Sequence, residues 1–519
     1  MLARLTSAAV AGVEAYPVSV EVNISSGLPG MSVVGLPHSA VREGRERVIA
    51  AVRSSGLEAT PRKITVNLAP ADVPKEGSAL DLPIAIGLLA ASGQAPTPAA
   101  DVCLAGELGL DGGLRTVRGA VAAAVCCASH GMQTLILPEH AAREAAIVPG
   151  IRVLAARNLT EVVDHLRGER ELPRAYPAAA PVPRETADLA DVKGQGHAKR
   201  ALEIAAAGGH NLLFVGPPGA GKSMLAARLA ALLPDLDLQA ALDVARIHSA
   251  AGVPRPGLDR RPPYRAPHHT VSHVGLVGGG HGPRPGEISL AHHGVLFLDE
   301  LPEFRRAALE ALRQPLEAGT VHIVRASGTA CYPAAFQLIA AMNPCPCGRL
   351  GDGRDRCVCT DAEVRRYRGR VSGPLLDRID LRVEVPLLDP EDLREDAPPG
   401  ERDASVRAAR PVEVRGEGPS GSRAVAERVH AARRRQARRH GHEDALNARL
   451  GAAGMHRHCA VGEDAWPLLS AAVERLGLSP RAYHRVLRVA RTIADLASVR
   501  DIARDHVAEA LQYRGAGQS

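Results

Sequence analysis

The sequence predicts an α/β multidomain protein: a parallel-sheet core that binds a nucleoside triphosphate, a mixed α+β unit before it and a helical segment after it. Three observations carry that prediction. Gly216-Pro217-Pro218-Gly219-Ala220-Gly221-Lys222-Ser223 fits the phosphate-loop pattern G-x-x-x-x-G-K-[ST] at every fixed position, between an apolar run at 211–215 and a helical pattern at 224–233. A second apolar run, Gly294-Val295-Leu296-Phe297-Leu298, ends in Asp299-Glu300. A stretch at 171–186 containing Pro173, Pro177, Pro181 and Pro183 supports neither a helical nor a strand period, so it separates the front unit from the core as a semi-rigid linker.

Composition sets the frame. At 519 residues the chain exceeds what one core accommodates, and about two to four domains are expected. The hydrophobic fraction of 45% is enough to fill them. Aromatics make up only 2%, and Ala, Arg, Gly and Pro are heavily used, a GC-rich bias that weakens arginine content as a sign of nucleic-acid binding. A net charge of +6 permits a nucleic-acid partner without requiring one. No apolar run is long enough to span a bilayer, and the segment starting Met1-Leu2-Ala3-Arg4 has no signal-peptide pattern. Nine cysteines, an odd number with four clustered, suit a reducing cytoplasm. A cytoplasmic protein without a membrane partner is expected.

Residues 1–168 form the front unit. Strands are expected at 18–22, 31–37, 63–68 and 134–137, and helices at 39–54, 81–91 and 117–130, from their period-2 and period-3.6 apolar spacing. Pro74-Lys75-Glu76-Gly77-Ser78-Ala79 resembles the segment that carries the serine of Lon-type proteases. Leu104 to Leu110 and Val117-Arg118-Gly119-Ala120-Val121 resemble the segment that carries their lysine. The resemblance implies a Lon-protease-like α+β fold. Val121 stands where the Lon pattern has lysine, and a serine without a base is a weak nucleophile. Ser78 is therefore not expected to be catalytic, and the unit reads as a scaffold or a binding surface. Residues 169–187 are the linker.

Residues 188–388 form the core. In the phosphate loop, Gly216 to Ser223, glycines turn backbone N–H groups toward phosphate oxygens and the helix N-terminus adds partial positive charge. Lys222 then reaches the β/γ-phosphates of ATP and the Ser223 hydroxyl ligates Mg²⁺. Asp299 orients Mg²⁺ through water, and Glu300 polarises the attacking water. An apolar strand at 337–342 ends at Asn343, where a polar side chain holds that water and senses the γ-phosphate; the alternative is a strand-end turn before Pro344.

These motifs resemble the AAA+ ATPases. Asp191-Val192-Lys193-Gly194-Gln195-Gly196 resembles their adenine-covering entry, and Asn343 their sensor-one position. Ser372-Gly373-Pro374-Leu375-Leu376-Asp377-Arg378-Ile379-Asp380 resembles the arginine-finger segment of magnesium-chelatase ATPase subunits and minichromosome-maintenance helicases. The resemblance implies that Arg378 reaches the γ-phosphate held by a neighbouring subunit, hence a homo-hexameric ring. Arg370 is the second candidate, and a core-edge salt bridge of Arg378 with Asp377 or Asp380 is the alternative. Two inserts characterise that clade and point into the ring's pore. One, at 267–293, is glycine-rich and expected to be a mobile loop. The other, at 320–333, is expected to be a β-hairpin turning at Ser327-Gly328. Arg284 and Arg325 are candidate contacts to a phosphate backbone, with bracing of subunit interfaces as the alternative.

Cys345-Pro346-Cys347 and Cys357-Val358-Cys359, within 345–359, offer four thiolates for a structural, tetrahedral Zn²⁺; redox or plain structural thiols are the alternatives. Residues 389–421 turn acidic and then Pro/Gly-rich, a flexible excursion. Residues 422–519 read as a helical lid with helices at 425–440, 464–476, 480–496 and 499–513. The first carries Arg433-Arg434-Arg435 and Arg438-Arg439, which either face DNA or form a solvated surface. Leu478 to Arg485 resembles the sensor-two helix, implying that Arg481 touches the γ-phosphate, with Arg485 as the alternative.

The order of all these motifs resembles the bacterial ComM/YifB family, a magnesium-chelatase-like group, over nearly the whole chain. The resemblance implies a hexameric, ATP-driven motor on single-stranded or branched DNA that promotes branch migration in natural transformation. A chelatase- or chaperone-type ATPase is the second reading, although chelatase motor subunits generally lack a Lon-like front domain. An ATP-dependent protease is disfavoured by Val121.

Overall fold

The computed structural model describes residues 1–59, 61–73, 75, 77–179, 188–280, 284–325, 328–352, 356–388, 421–441 and 446–514. The expected excursion at 389–421, save Gly421, and the 180–187 half of the expected linker lie outside these.

A mixed seven-stranded sheet organises the front. β1 (Leu2–Ala11) and β2 (Glu14–Ser25) form a long antiparallel hairpin; β3 (Gly30–Val34) runs parallel to β4 (Lys63–Ala69), which pairs antiparallel with β2. β5 (Val102–Leu104) runs parallel to β1, and a short ladder joins β6 (Glu107–Leu108) to β7 (Leu114–Arg115). With β8 (Thr134–Pro138) and β9 (Arg152–Ala156) the order is β3-β4-β2-β1-β5-β8-β9. Five helices flank it: α1 (Ser39–Ser54), α2 (Asp81–Ala91), α3 (Ala120–Ser129), α4 (Glu139–Ala145) and α5 (Leu159–Arg167). Side chains of α1, α2 and α5 fill one face, those of α3 and α4 the other. α2 is apolar all round, which is why it lies inside.

The sequence reading gave no strand for β5 or β9 and no helix for α4 or α5, and two further differences have a plain physical cause. β1, near the middle of the sheet, was not expected; its small residues Ala3, Ala8 and Ala9 give weak alternation, yet all are buried, and Ser7 Oγ donates to the Leu104 carbonyl at 2.7 Å. Part of the expected linker is bound to the sheet. The Ala175 N–H donates to Val153 O at 2.8 Å, and the Ala155 N–H donates to Pro173 O at 2.9 Å. The cause is the open edge of β9, whose backbone groups need partners, together with burial of Leu172 and Ala175.

The core begins with α6 (Gly196–Gly208), β10 (Leu212–Val215), α7 (Lys222–Leu232) and α8 (Leu238–Ala251). Next come β11 (Tyr264–Arg265), α9 (His273–Val277), the two-residue partners β12 (Gly278–Gly279) and β13 (Arg284–Pro285), α10 (Glu287–Leu290) and β14 (Val295–Leu298). α11 (Arg306–Ala311), α12 (Arg313–Ala318), the hairpin β15 (Thr320–Arg325) and β16 (Gly328–Pro333), and β17 (Gln337–Met342) follow; α13 (Asp361–Arg368), α14 (Gly373–Leu376) and β18 (Leu381–Glu384) close it. Five strands form one parallel sheet in the order β11-β14-β17-β10-β18. Alternate residues serve opposite faces: Phe214, Ile339 and Val383 pack under α6 and α7, while Leu213, Leu296 and Leu338 pack under α8, α10 and α11.

The insert at 267–293 is not the mobile loop that its glycines predicted, as far as it is described. Gly278 and Gly279 are buried and pair with Arg284 and Pro285. At Gly278, φ is +111°, and a Cβ would lie 2.5 Å from Arg284 O and 3.0 Å from Ile323 of the hairpin. Glycine is there because two backbones and a neighbouring strand meet too closely for a side chain. The 320–333 hairpin forms as expected, but Gly328, expected in the turn, pairs with Arg325; residues 326–327 between them lie outside the described residues.

The C-terminal helices α15 (Ser422–His440), α16 (Ala452–His458), α17 (Trp466–Leu476), α18 (Pro480–Leu496) and α19 (Arg504–Gln512) do not form a core of their own. Val429, Ala432, Val486 and Ile493 join the same cluster as Leu202, Leu225 and Phe214. The last helix starts at Arg504 rather than 499. No helix among the described residues is long and apolar enough to cross a membrane.

Candidate functional site

Parallel strands bring their carboxyl ends to one edge, where ligands of such sheets bind. β10 delivers the phosphate loop there, flanked by β17 and β18. Gly219 and Gly221 have φ of +81° and +87°, open to glycine without strain. Gly216 has a different reason: a Cβ would lie 2.1 Å from Val385 O. α7 starts at Lys222, so its first N–H groups face the loop's concavity.

The side chains expected around a nucleotide converge at this edge. Lys222 is buried, and its Nζ donates to Gly216 O at 2.6 Å, Pro217 O at 2.8 Å and Asn343 Oδ1 at 3.1 Å. Burial lowers its pKa, while Asp299 and Glu300 pull it back up. Ser223 Oγ donates to Asp299 Oδ2 at 2.5 Å, and the Glu300 N–H to Asp299 Oδ1 at 2.9 Å. Asn343 sits between the two motifs because β17 lies between β10 and β14 and Met342 pairs with Val215. Glu300 adopts φ +53°, a left-handed conformation that costs a non-glycine residue roughly 1–3 kcal/mol and clusters at functional sites.

One partner of this cluster escaped the sequence reading. His269 Nδ1 lies 3.1 Å from Glu300 Oε2. Its ring packs against His268 at 4.1 Å and edge-on against Phe304 at 6.4 Å. At that distance the imidazole can hold the Glu300 carboxylate in one orientation. A lone His-His pair in a loop carries no periodic signal, and only the chain's return past β14 gives it meaning.

The three arginine candidates behave differently. Arg378 is at the other edge of the sheet: its carbonyl accepts from Asn211 Nδ2 at 2.8 Å, just before β10 begins. Its guanidinium donates to Arg313 O at 3.1 Å and Pro374 O at 2.6 Å and pairs with Glu317, not with Asp377 or Asp380 as the alternative supposed. Arg370 pairs with Glu303 at 2.9 Å. Arg481 is exposed on the first turn of α18 and makes no hydrogen bond or ion pair among the described residues. Its alternative, Arg485, is buried 3.8 Å from Asp380 Oδ1, which also lies 3.5 Å from His210 Nδ1. Burial opposes the charge on Asp380, yet His210 and Arg485 hold it below the usual carboxylate range. Arg485 is thus a buried partner of Asp380 in this chain.

The basic run on α15 is also largely structural. Arg433 donates to Ala206 O at 2.9 Å, Arg435 to Asp495 O at 3.0 Å, and Arg439 pairs with Asp495. Only Arg434 and Arg438 of the five are exposed. Arg284 is exposed, while the side chain of Arg325 lies outside the described residues. A cavity of about 370 Å³ opens at the amino end of the sheet, near Gly209, Gly294, Arg433 and Arg434, away from Lys222.

In the front unit Ser78 Oγ donates to Glu107, and Val121 is buried within α3. Among the described residues, the side chain bonded to the serine is therefore a carboxylate.

Past Asn343 the chain enters the cysteine turn. The four Sγ atoms of Cys345, Cys347, Cys357 and Cys359 lie within 4.8 Å of one another, at 3.4 Å for Cys345–Cys347 and 3.7 Å for Cys345–Cys357 and Cys347–Cys357. Zn–S bonds of about 2.3 Å in a tetrahedron put sulfurs about 3.8 Å apart, so the donor set fits Zn²⁺. Backbone N–H groups of Arg349 and Val358 pull the Cys347 thiol down to about 6.

A phosphate loop on an inner strand, an Asp-Glu pair two strands away and an asparagine between them define an AAA+-type ATPase domain with a parallel sheet. Comparison with known families refines this. The profile described as "Magnesium chelatase, subunit ChlI" matches residues 188–393, "Subunit ChlI of Mg-chelatase" matches 20–141, and "Magnesium chelatase, subunit ChlI C-terminal" matches 419–514. YifB of Salmonella typhimurium is 45% identical over 516 residues, covering 99% of this chain and 97% of that protein. YifB of Escherichia coli is 45% identical over 508 residues, covering 98% and 96%. Competence protein ComM of Haemophilus influenzae is 44% identical over 523 residues, covering 99% and 97%. The chain belongs to the magnesium-chelatase-like ComM/YifB family.

Proposed function

We propose that this protein is an Mg²⁺-dependent ATP hydrolase that works as a homo-hexameric ring on single-stranded or branched DNA, driving branch migration in recombination during natural transformation. Lys222 and the loop N–H groups hold the phosphates, and Ser223 and Asp299 hold Mg²⁺, whose charge stabilises the transferring phosphoryl group. Glu300, aimed by His269, takes up the proton side of the attacking water; Asn343 orients that water and reports on the γ-phosphate.

The observation that carries the ring is the position of Arg378, at the opposite end of β10 from its own phosphate loop. It can serve a nucleotide only on another chain. Its partner Glu317 is exposed, so the pair is weak enough to exchange for a phosphate. Arg481, exposed and without a partner among the described residues, suits the same interface as part of a helical lid. The DNA reading draws on the printed name of one relative, "Competence protein ComM". Exposed Arg284 in the first insert is the described contact it would use. The front unit serves as a non-proteolytic, Lon-like scaffold, the cysteine turn as a structural zinc site, and the nine free cysteines suit the cytoplasm.

The test is ATP turnover with and without single-stranded and branched DNA, alongside mass photometry with ATP. DNA stimulation and ATP-dependent rings are expected. Rings without any DNA effect would favour the second reading, a chelatase- or chaperone-type ATPase, which the three profile matches keep in view.

A further inference from the structure

We propose that the four-cysteine turn holds a Zn²⁺ ion that braces the nucleotide site, fixing Asn343 and the phosphate loop relative to each other. The brace rests on the reading of Gly216 to Ser223 as an ATP site and adds a part to it.

The geometry is continuous. Asn343 accepts from Lys222, and two residues later Cys345, fully buried, supplies the first sulfur. Gly348 follows Cys347 with φ +76° and lies against the phosphate loop: a Cβ there would be 2.7 Å from Pro218 Cδ and 3.8 Å from Asn343 Cγ. Its N–H donates to Cys345 O at 3.0 Å, so the stretch 345–348 is a tight turn wedged between the sulfurs and Pro218. The second arm, Cys357 and Cys359, runs into α13 through the Thr360 capping box. α13 returns to the same residues: Arg368 Nε donates to Pro344 O at 3.1 Å, and the Asn343 N–H faces the Tyr367 hydroxyl. An ion that joins the two arms closes a ring of contacts around Asn343.

Two of the sulfurs also accept backbone N–H groups. Leu350 N–H donates to Cys345 Sγ at 3.4 Å, and backbone N–H groups of Arg349 and Val358 serve Cys347. Such donors disperse thiolate charge in metal sites. Four protein sulfurs leave no open position for water, so the ion is structural. Binding displaces the remaining thiol protons into solvent.

The experiment uses the full chain, purified reduced and without chelator. Elemental mass spectrometry should find about one zinc per chain, and Co²⁺ put in its place should give the visible absorption of a tetrahedral thiolate site. Stripping the metal with a thiol reagent and chelator should leave the far-ultraviolet circular dichroism in place but weaken binding of a fluorescent ATP analogue roughly tenfold, with recovery on reducing and re-adding zinc. Gly348→Ala should keep the zinc and weaken the same binding. Zinc near zero in reduced protein overturns the ion. Stoichiometric zinc with unchanged nucleotide affinity after stripping and in Gly348→Ala overturns the brace. If the zinc-loaded protein binds no nucleotide at all, the ATP reading fails and takes the brace with it.

Discussion

At the carboxyl end of the core sheet Lys222 rests on loop carbonyls, and the Ser223 hydroxyl donates to Asp299. At the amino end Asp380 is buried between His210 and Arg485, and the Arg378 guanidinium is tied to two carbonyls and Glu317. Both ends concentrate charge; they differ in what could replace the present partners. Neutral carbonyls at the first end are weaker partners for an ammonium than phosphate oxygens are. At the second end Asp380 is desolvated and held by His210 and Arg485, and removing one member of such a buried set leaves the others uncompensated. Lys222 has partners that a phosphate could replace, whereas Asp380 does not; Arg378 is the exception at the second end, because its carboxylate partner Glu317 is exposed.

That exception is the largest test. Arg378→Ala should keep ATP binding and lose turnover on the order of 10³–10⁵-fold if it acts across an interface. Mixing Arg378→Ala with Glu300→Gln protein should then recover some turnover, because each supplies what the other lacks; no recovery, or normal hydrolysis in Arg378→Ala alone, removes the interface role. Next, Glu300→Gln should bind ATP while slowing hydrolysis on the order of 10²–10⁴-fold, whereas Lys222→Ala should abolish binding in a titration. Asp380→Ala tests the structural end: leaving Arg485 buried and unpaired should cost about 3–5 kcal/mol in denaturant unfolding, with nucleotide affinity of the folded fraction unchanged. A loss of affinity without loss of stability would reverse the assignment of the two ends.

A smaller effect lies in the front unit. Burial pushes Asp81 up to about 6 despite its ion pair with Arg47. An unfolded aspartate titrates near about 3.9, so below pH about 6 the folded form takes up a proton that the unfolded chain binds only lower down. Lowering the pH from 7 to 5 should therefore add on the order of 1 kcal/mol of stability at this group, and Asp81→Asn should flatten that slope in melts at the two pH values. Last, His269→Ala should reduce turnover about tenfold while leaving nucleotide affinity intact, less than loss of Glu300 itself.

Much of the local structure was legible. The helices at 39–54, 81–91 and 480–496 and the strand at 337–342 have the bounds their apolar spacing indicates. The phosphate loop, the Asp-Glu pair and Asn343 were legible too, since each lies next to a strong periodic segment. β1 was not, because alanines bury without announcing a period. The 278–279 glycines read as freedom and turned out to be a close approach, since sequence shows the missing side chain but not the neighbour that requires it. The arginines of α15 read as a surface, and their acceptors, Ala206 and Asp495, are 227 and 60 residues away.

By itself, then, the sequence determined the chemistry on offer: a loop that accepts phosphate, acids that follow a buried strand, four thiols at short spacing. These depend on neighbours along the chain, and neighbouring residues are what a sequence records. Only the tertiary structure decided which groups share a site. Strand order put Asn343 between Lys222 and Asp299, chain return put His269 on Glu300 and Gly348 on Pro218, and Arg378 was carried to the far end of the sheet. The physical reason is that parallel strands gather their carboxyl ends at one edge whatever their separation in the chain, and burial then selects which charges must be paired there and which remain to bind.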